Sequence, residues 1–219
     1  GNQYVTTAKQ LLSAGTVAID MPAGPSEVMV LSDGSVPAAF AAADLLSQAE
    51  HDEMASAILI TTSRTLAEQV AAEIDGFCET LSRSEIIKKS LEQYGYLFVA
   101  TSEEEMIAAA NDIASEHMEI ITGDPWAVMT KIKNAGAIFL GPWSSEPLGD
   151  YFAGPNHILP TNRTARFFSP LSVDDFVKKT SVICYSREAL LRDSEDIERF
   201  ARAEGLTAHA NSIAVRRGE

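Results

Sequence analysis

Five short apolar runs, separated by stretches with helical spacing, restrict this chain more than any other feature. SEVMVLS (26–32), SAILITT (56–62), YLFVAT (96–101), MEIIT (118–122) and AIFLG (137–141) are apolar at successive positions. Strands of that kind are buried on both faces, the pattern of a parallel sheet covered by helices. The intervening stretches carry helix punctuation. Ser102 and Glu105 form a capping-box pattern ahead of Met106, Ile107, Ala110, Ile113 and Ala114. Asp124 and Pro125 open a further helix, which Gly136 closes. The alternation predicts an α/β fold, a parallel doubly wound sheet. Folds of this kind bind ligands beyond the carboxyl ends of their strands.

From Gly141 to Arg166 the period fails. GPWSSEPLGDYFAGPNHILPTNRTAR has Gly or Pro every few residues, and a loop of that length is functional or disordered. Its Trp143, Tyr151, Phe152 and Ile158 argue for order. VDDFVKKTS, SREALLRDSEDIERFARAE and TAHANSIAVRR follow as two or three helices, a C-terminal helical appendage to the sheet. The first residues, GNQYVTTAKQLL, already show helical spacing and no methionine, as expected of a fragment.

A net charge of −14 argues against nucleic acid, whose phosphates would be repelled. No run reaches the roughly eighteen apolar residues of a membrane span, and no signal peptide is visible. Cys78 and Cys184 stand far apart in apolar surroundings, and are read as two buried thiols of a cytoplasmic protein.

All four histidines fall at element ends beside a carboxylate or amide. His51 closes the 37–51 helix three residues after Gln48, so the two share a helix face. His117 follows Glu116 at a helix-to-strand junction, His157 lies in the long loop, and His209 starts the last helix after Glu204. His51, His209, Asp150 and Gln48 together would make an N/O donor set suited to zinc or a similar divalent cation. The plainer reading makes Asp150 a turn cap and Gln48 a solvated helix residue. Glu116 and His117 fit an acid/base pair, and equally a helix C-terminal histidine favoured by its position. The Gly/Pro turn DMPAGPSEV offers Ser26 and backbone amides to a ligand. HExxH, CxxC and EF-hand patterns are absent, as is GxGxxG, so no nicotinamide fingerprint is present.

IDMPAGPSEV, DLLSQAEH, SEHMEI, GDYFAGPNHILPT and EGLTAHANS, in this order, resemble histidinol dehydrogenases from Asn2 to Arg217. The resemblance implies NAD-dependent oxidation of L-histidinol to L-histidine through a retained aldehyde, an incomplete Rossmann-like architecture, a homodimer and one zinc per site. By resemblance Gln48, His51, Asp150 and His209 hold the zinc, and the same four residues contact substrate. Ser26, His117 and Glu204 match further substrate-contacting positions, Asn2 a cofactor-contacting one, and Glu116 and His117 the acid/base pair. Family members carry about another half-chain before the segment matching GNQYV. Residues 1–25 are accordingly expected to end a preceding nucleotide-binding domain, with 26–168 the Rossmann-like domain and 169–219 a tail exchanged between subunits. A related zinc- and NAD-dependent dehydrogenase of another small alcohol, and a non-catalytic zinc-binding remnant, are the alternatives.

Overall fold

The computed structural model describes residues 2–218. The chain forms two compact units, residues 1–176 and 177–219. The first contains a parallel sheet of β1 (Glu27–Ser32), β2 (Ser56–Thr61), β3 (Gly95–Val99), β4 (His117–Ile121) and β5 (Ala137–Leu140). Its order is β3-β2-β1-β4-β5, so the winding reverses between β1 and β4. Parallel neighbours need crossovers. These are α2 (Ala38–Ala49), the pair α3 (Arg64–Cys78) and α4 (Ser84–Tyr94), α5 (Glu103–Ile113) and the short α6 (Pro125–Met129). Before them, α1 (Gln3–Ser13) buries none of its residues. Residues 2–25 group with the first unit, whose boundary with the second lies at 176/177.

Alternating side chains divide the core. Val28, Val30, Leu59 and Ile121 meet Leu45 and Leu46 of α2 on one face. Met29, Leu31, Ile58, Met118 and Ile120 meet Met106 and Ala110 of α5 on the other. The three central strands are therefore buried on both sides, as their sequences predict. The edge strands differ. Tyr96, Leu97, Phe98 and Val99 are 37–48% exposed, and Ile138 is 37% exposed. An edge strand has a neighbour on one side only, and the crossover helices concentrate over the centre of the sheet.

The capping signals operate with one shift. Ser102 Oγ accepts the Glu105 amide at 3.2 Å, but the Glu105 carboxylate turns back to the amide and hydroxyl of Thr101, both at 2.6 Å. Ala114 ends α5 in the left-handed region at φ 56° and aims the chain at β4. Gly136 is needed for packing. A Cβ there would lie 2.5 Å from the Glu116 carbonyl oxygen and 3.2 Å from Pro160. Gly136→Ala should cost about 1–3 kcal/mol, as overpacking does, because a backbone atom cannot rotate away. Denaturant midpoints check it, and an unchanged midpoint would refute this account.

Two expectations fail towards the C-terminus. VDDFVKKTS is one 3-10 turn, Val173–Phe176, and residues 177–186 form no helix. The Asp175 carboxylate accepts the Ser172 amide at 2.7 Å, closing a local turn in place of a longer helix. Cys184, expected buried, is exposed on this extended stretch, and Cys78 is half-buried; both are free. In the second unit α8 (Arg187–Ala203) and α9 (Thr207–Arg217) form a helical hairpin. The buried Glu198 pairs with Arg217 at 3.2 Å. No helix among the described residues is long and apolar enough to cross a membrane.

Candidate active site

The site is built around the first residue of β4. Val28 of β1 lies opposite His117, so the cluster sits at the amino ends of these parallel strands. This corrects the expectation of a site beyond their carboxyl ends. The crossover α2 runs back against the strands, and its last turn brings Gln48 to the amino rim. Gln48 Nε2 comes within 3.3 Å of His117 Nδ1 there.

The His117 ring is 3% exposed, and its Nδ1 lies 3.0 Å from the Glu27 carbonyl oxygen. That oxygen can only accept, so Nδ1 donates to it and Nε2 keeps its lone pair; the 3.3 Å approach of Gln48 Nε2 to Nδ1 is then a donor–donor contact and no hydrogen bond. Nε2 is buried without a hydrogen-bond partner, 4.0 Å from Asp150 Oδ1. Burial holds the imidazole below its ordinary pKa, against the Glu27 carbonyl and Asp150, which pull it up. The ring is therefore a neutral base with its free nitrogen facing the loop carboxylate.

Glu116 lies behind it. One carboxylate oxygen accepts the Glu27 amide at 2.9 Å and lies 3.6 Å from His117 Nδ1. Burial pushes Glu116 up to about 8, reinforced by the carboxylates of Glu27, Asp150 and Glu146. A carboxyl that titrates near neutral pH suits proton transfer in either direction.

Asp150 comes from the irregular loop, which is ordered. A short helix α7 (Glu146–Leu148) runs into a π-turn over Gly149–Ala153. His117, Glu146 and Asp150 offer ligand atoms all within 4.8 Å of one another. Gln48, 1% exposed, has its Oε1 buried without a partner. The orphaned Gln48 oxygen beside the carboxyls of Asp150 and Glu146 offers oxygen donors to a divalent cation and leaves His117 Nε2 free to act as a base. His51 is exposed and borders an adjoining cavity with Glu146 and Tyr151. His157 lines a cavity of about 310 Å³ with His117 and Asp150.

The other sequence candidates are placed by their own elements. Ser26 precedes β1, and its carbonyl accepts the Ser56 amide at 2.9 Å. Asn2 caps α1, its Oδ1 accepting the amides of Tyr4 and Val5 at 3.1 Å each. Glu204 and His209 belong to the second unit and are exposed, at the end of α8 and in the first turn of α9.

Three residues were not singled out by the sequence. Glu146 precedes Asp150 by four, one helical turn, in the EPLGD segment. Glu27 and Glu119 are single carboxylates within the apolar runs SEVMVLS and MEIIT. A charge in a strand buried on both faces needs partners, and that is the signal they gave. Burial pushes Glu119 up to about 10, and the Asp44 carboxyl beside it adds to the shift.

A neutral histidine base, a carboxyl titrating near neutrality and a set of N/O donors on a doubly wound sheet define a Rossmann-like α/β protein with a metal-capable acid/base site. The histidinol dehydrogenase family model matches residues 1–217. The chain belongs to the histidinol dehydrogenase family. It is 56% identical over 216 residues to a histidinol dehydrogenase of Halalkalibacterium halodurans, covering 99% of this chain and 51% of that protein. A Geobacter metallireducens relative of the same description is 57% identical over 216 residues, covering 99% and 49%. The crystal structure of histidinol dehydrogenase from Elizabethkingia anophelis superposes with a TM-score of 0.94 at 41% identity, covering 100% of this chain and 50% of that one. The chain thus spans about half the length of the curated relatives it matches.

Proposed function

We propose that this chain carries the metal and acid/base half of a zinc- and NAD-dependent histidinol dehydrogenase. The reaction is oxidation of L-histidinol to L-histidine through a bound aldehyde, the last steps of histidine biosynthesis. One observation carries the reading. A buried imidazole with its proton fixed on Nδ1 presents an unpaired Nε2 beside Asp150, the orphaned Gln48 oxygen and the raised carboxyl of Glu116.

The metal set is Gln48, His51, Asp150 and His209. Zinc there supplies a Lewis acid that orients the amine and imidazole of the substrate. His117 Nε2 takes the alcohol proton as hydride leaves for NAD⁺, giving the aldehyde. Glu116, once ionised, takes a proton from water as that water adds to the aldehyde carbon. Transfer of a second hydride from the hydrated aldehyde to a second NAD⁺, with release of its hydroxyl protons, would then give the carboxylate. Ser26 and Glu204 are assigned to substrate and Asn2 to the cofactor, as in the family. The protein is proposed to be a cytoplasmic homodimer in which the tail carrying Glu204 and His209 serves the partner's site. The other half of the cofactor site is assigned to the N-terminal half present in relatives.

The chain alone should therefore bind zinc and not form NADH. Elemental analysis and calorimetric titration with histidinol test the first part, and a 340 nm assay tests the second. Histidinol-dependent NADH from residues 1–219 alone would overturn the division of the cofactor site. Binding of simple primary alcohols as tightly as histidinol would favour a dehydrogenase of another small alcohol.

A further inference from the structure

The loop bearing Asp150 and His157 is fastened at two points, one on either side of those residues, each by a buried or half-buried strand carboxyl. Ahead of Asp150, Glu119 Oε1 accepts the Glu146 amide at 2.7 Å. Beyond His157, Glu27 Oε1 accepts the Asn162 amide at 2.8 Å, while its Oε2 accepts the Glu116 amide at 3.2 Å. Glu119 is 1% exposed and two residues beyond His117 on β4, so both side chains stand on the same sheet face. Glu27 lies beside Val28, the residue opposite His117. The fastenings therefore originate on β4, which carries the base, and on its neighbour β1.

We propose that Glu119 and Glu27 are positioning residues: two carboxyl clamps that hold the long loop so that Asp150 and His157 face His117. The proposal rests on the reading of His117 and Asp150 as site residues and assigns the residues that align them.

Each clamp is suited to this work. Each side chain is short, held by its strand and offers a buried acceptor oxygen to a loop amide that would otherwise lose its partner, and such an amide is costly to leave unpaired. The loop offers few regular ladders to hold it, with Gly149 at the start of the π-turn and Gly154 at φ +97° after it. The Glu119 clamp acts at the first residue of α7, so it fixes the start of the turn that delivers Asp150 four residues on. The Glu27 clamp ties Asn162 and Glu116 to one side chain, coupling the loop's far end to the acid/base pair. Outer partners of this kind shift metal affinity by about ten- to a hundredfold when removed.

The test uses the 219-residue chain with four substitutions: Glu119→Leu, Glu119→Gln, Glu27→Leu and, as a control on the exposed face of α3, Glu68→Leu. Amide hydrogen exchange is followed at Glu146, Asn162 and the central strands, and zinc affinity is measured by competition with a chromophoric chelator. Glu119→Leu should speed exchange at Glu146 by at least about tenfold and weaken zinc by about ten- to a hundredfold, with strand amides unchanged. Glu119→Gln keeps an acceptor oxygen and should restore both to within about threefold of the unsubstituted chain. Glu27→Leu should speed exchange at Asn162, and Glu68→Leu should change neither quantity. If Glu119→Leu does not fold, Glu27→Leu at its half-buried position decides by the same measurements. Unchanged exchange at Glu146 and Asn162 in the leucine variants overturns the proposal, as does equal loss in Glu119→Gln and Glu119→Leu. The dehydrogenase reading fails separately, if the unsubstituted chain takes up neither zinc nor histidinol while the exchange pattern still follows the clamps.

Discussion

Replacing Glu116 with Gln should make the metal-free chain more stable at pH 7 while removing its capacity as a base. The side chain is buried with a pKa near 8, against an ordinary value of 4.5. Between these values the native chain keeps a proton that the unfolded chain has released. The native state then binds more protons, so stability falls as pH rises through this window and levels off above about pH 8. At pH 7 the cost is about 3 kcal/mol. A glutamine resembles the protonated acid, accepts the Glu27 amide through its oxygen and does not titrate. Urea midpoints from pH 5 to 9 should show the parent losing stability across the window and Glu116→Gln losing less. In the full-length enzyme the same change should slow aldehyde oxidation by about 10²- to 10⁴-fold, the usual value of a general base. Parallel pH profiles for the two chains would show that Glu116 is not the titrating group.

Gln48→Leu should show the same opposition through a different atom. Gln48 is 1% exposed and its Oε1 has no hydrogen-bond partner. A buried unsatisfied acceptor costs about 1–3 kcal/mol, which a leucine of similar volume avoids. Thermal melts of the metal-free variant should therefore lie above the parent. Zinc affinity should fall by more than about a hundredfold, beyond the range seen when only outer partners are lost. A leucine variant that keeps its zinc would remove Gln48 from the ligand set and leave its orphaned oxygen without a purpose.

The centre of the sheet was legible because β1, β2 and β4 announce burial on both faces through unbroken apolar runs. The same rule misread β3, since Tyr96 to Val99 are equally apolar yet lie at an edge. Sequence records a strand's composition and not its place in the sheet order. At the candidate site, three-residue spacing put Gln48 and His51 on one helix face and the helix-to-strand junction paired Glu116 with His117, but only Gln48, Glu116 and His117 meet in one cluster. Glu27 and Glu119 were not, because their roles are made by distant partners. Glu27 meets Asn162 across 135 residues, and Glu119 meets Glu146 across 27. Local periodicity carries no information about such pairings. The 177–181 end of VDDFVKKTS misled in the opposite way, with helix-like spacing and no packed face to sustain a helix.

The position of the cluster at the amino rim of the sheet has an electrostatic consequence. In a parallel sheet every crossover helix runs against the strands, so its carbonyl end points to the amino rim and its amide end to the carboxyl rim. The peptide dipoles sum to a partial negative charge at the first and a partial positive charge at the second. The carboxyl rim therefore favours phosphates, as in nucleotide-binding relatives of this architecture. The amino rim here receives the end of α2 after Gln48 and the end of α5 just before Glu116. Both lend negative potential to the space between His117 and Asp150. A cationic guest, whether a divalent metal or a protonated amine, is attracted there before any side chain touches it, and an anion is turned away.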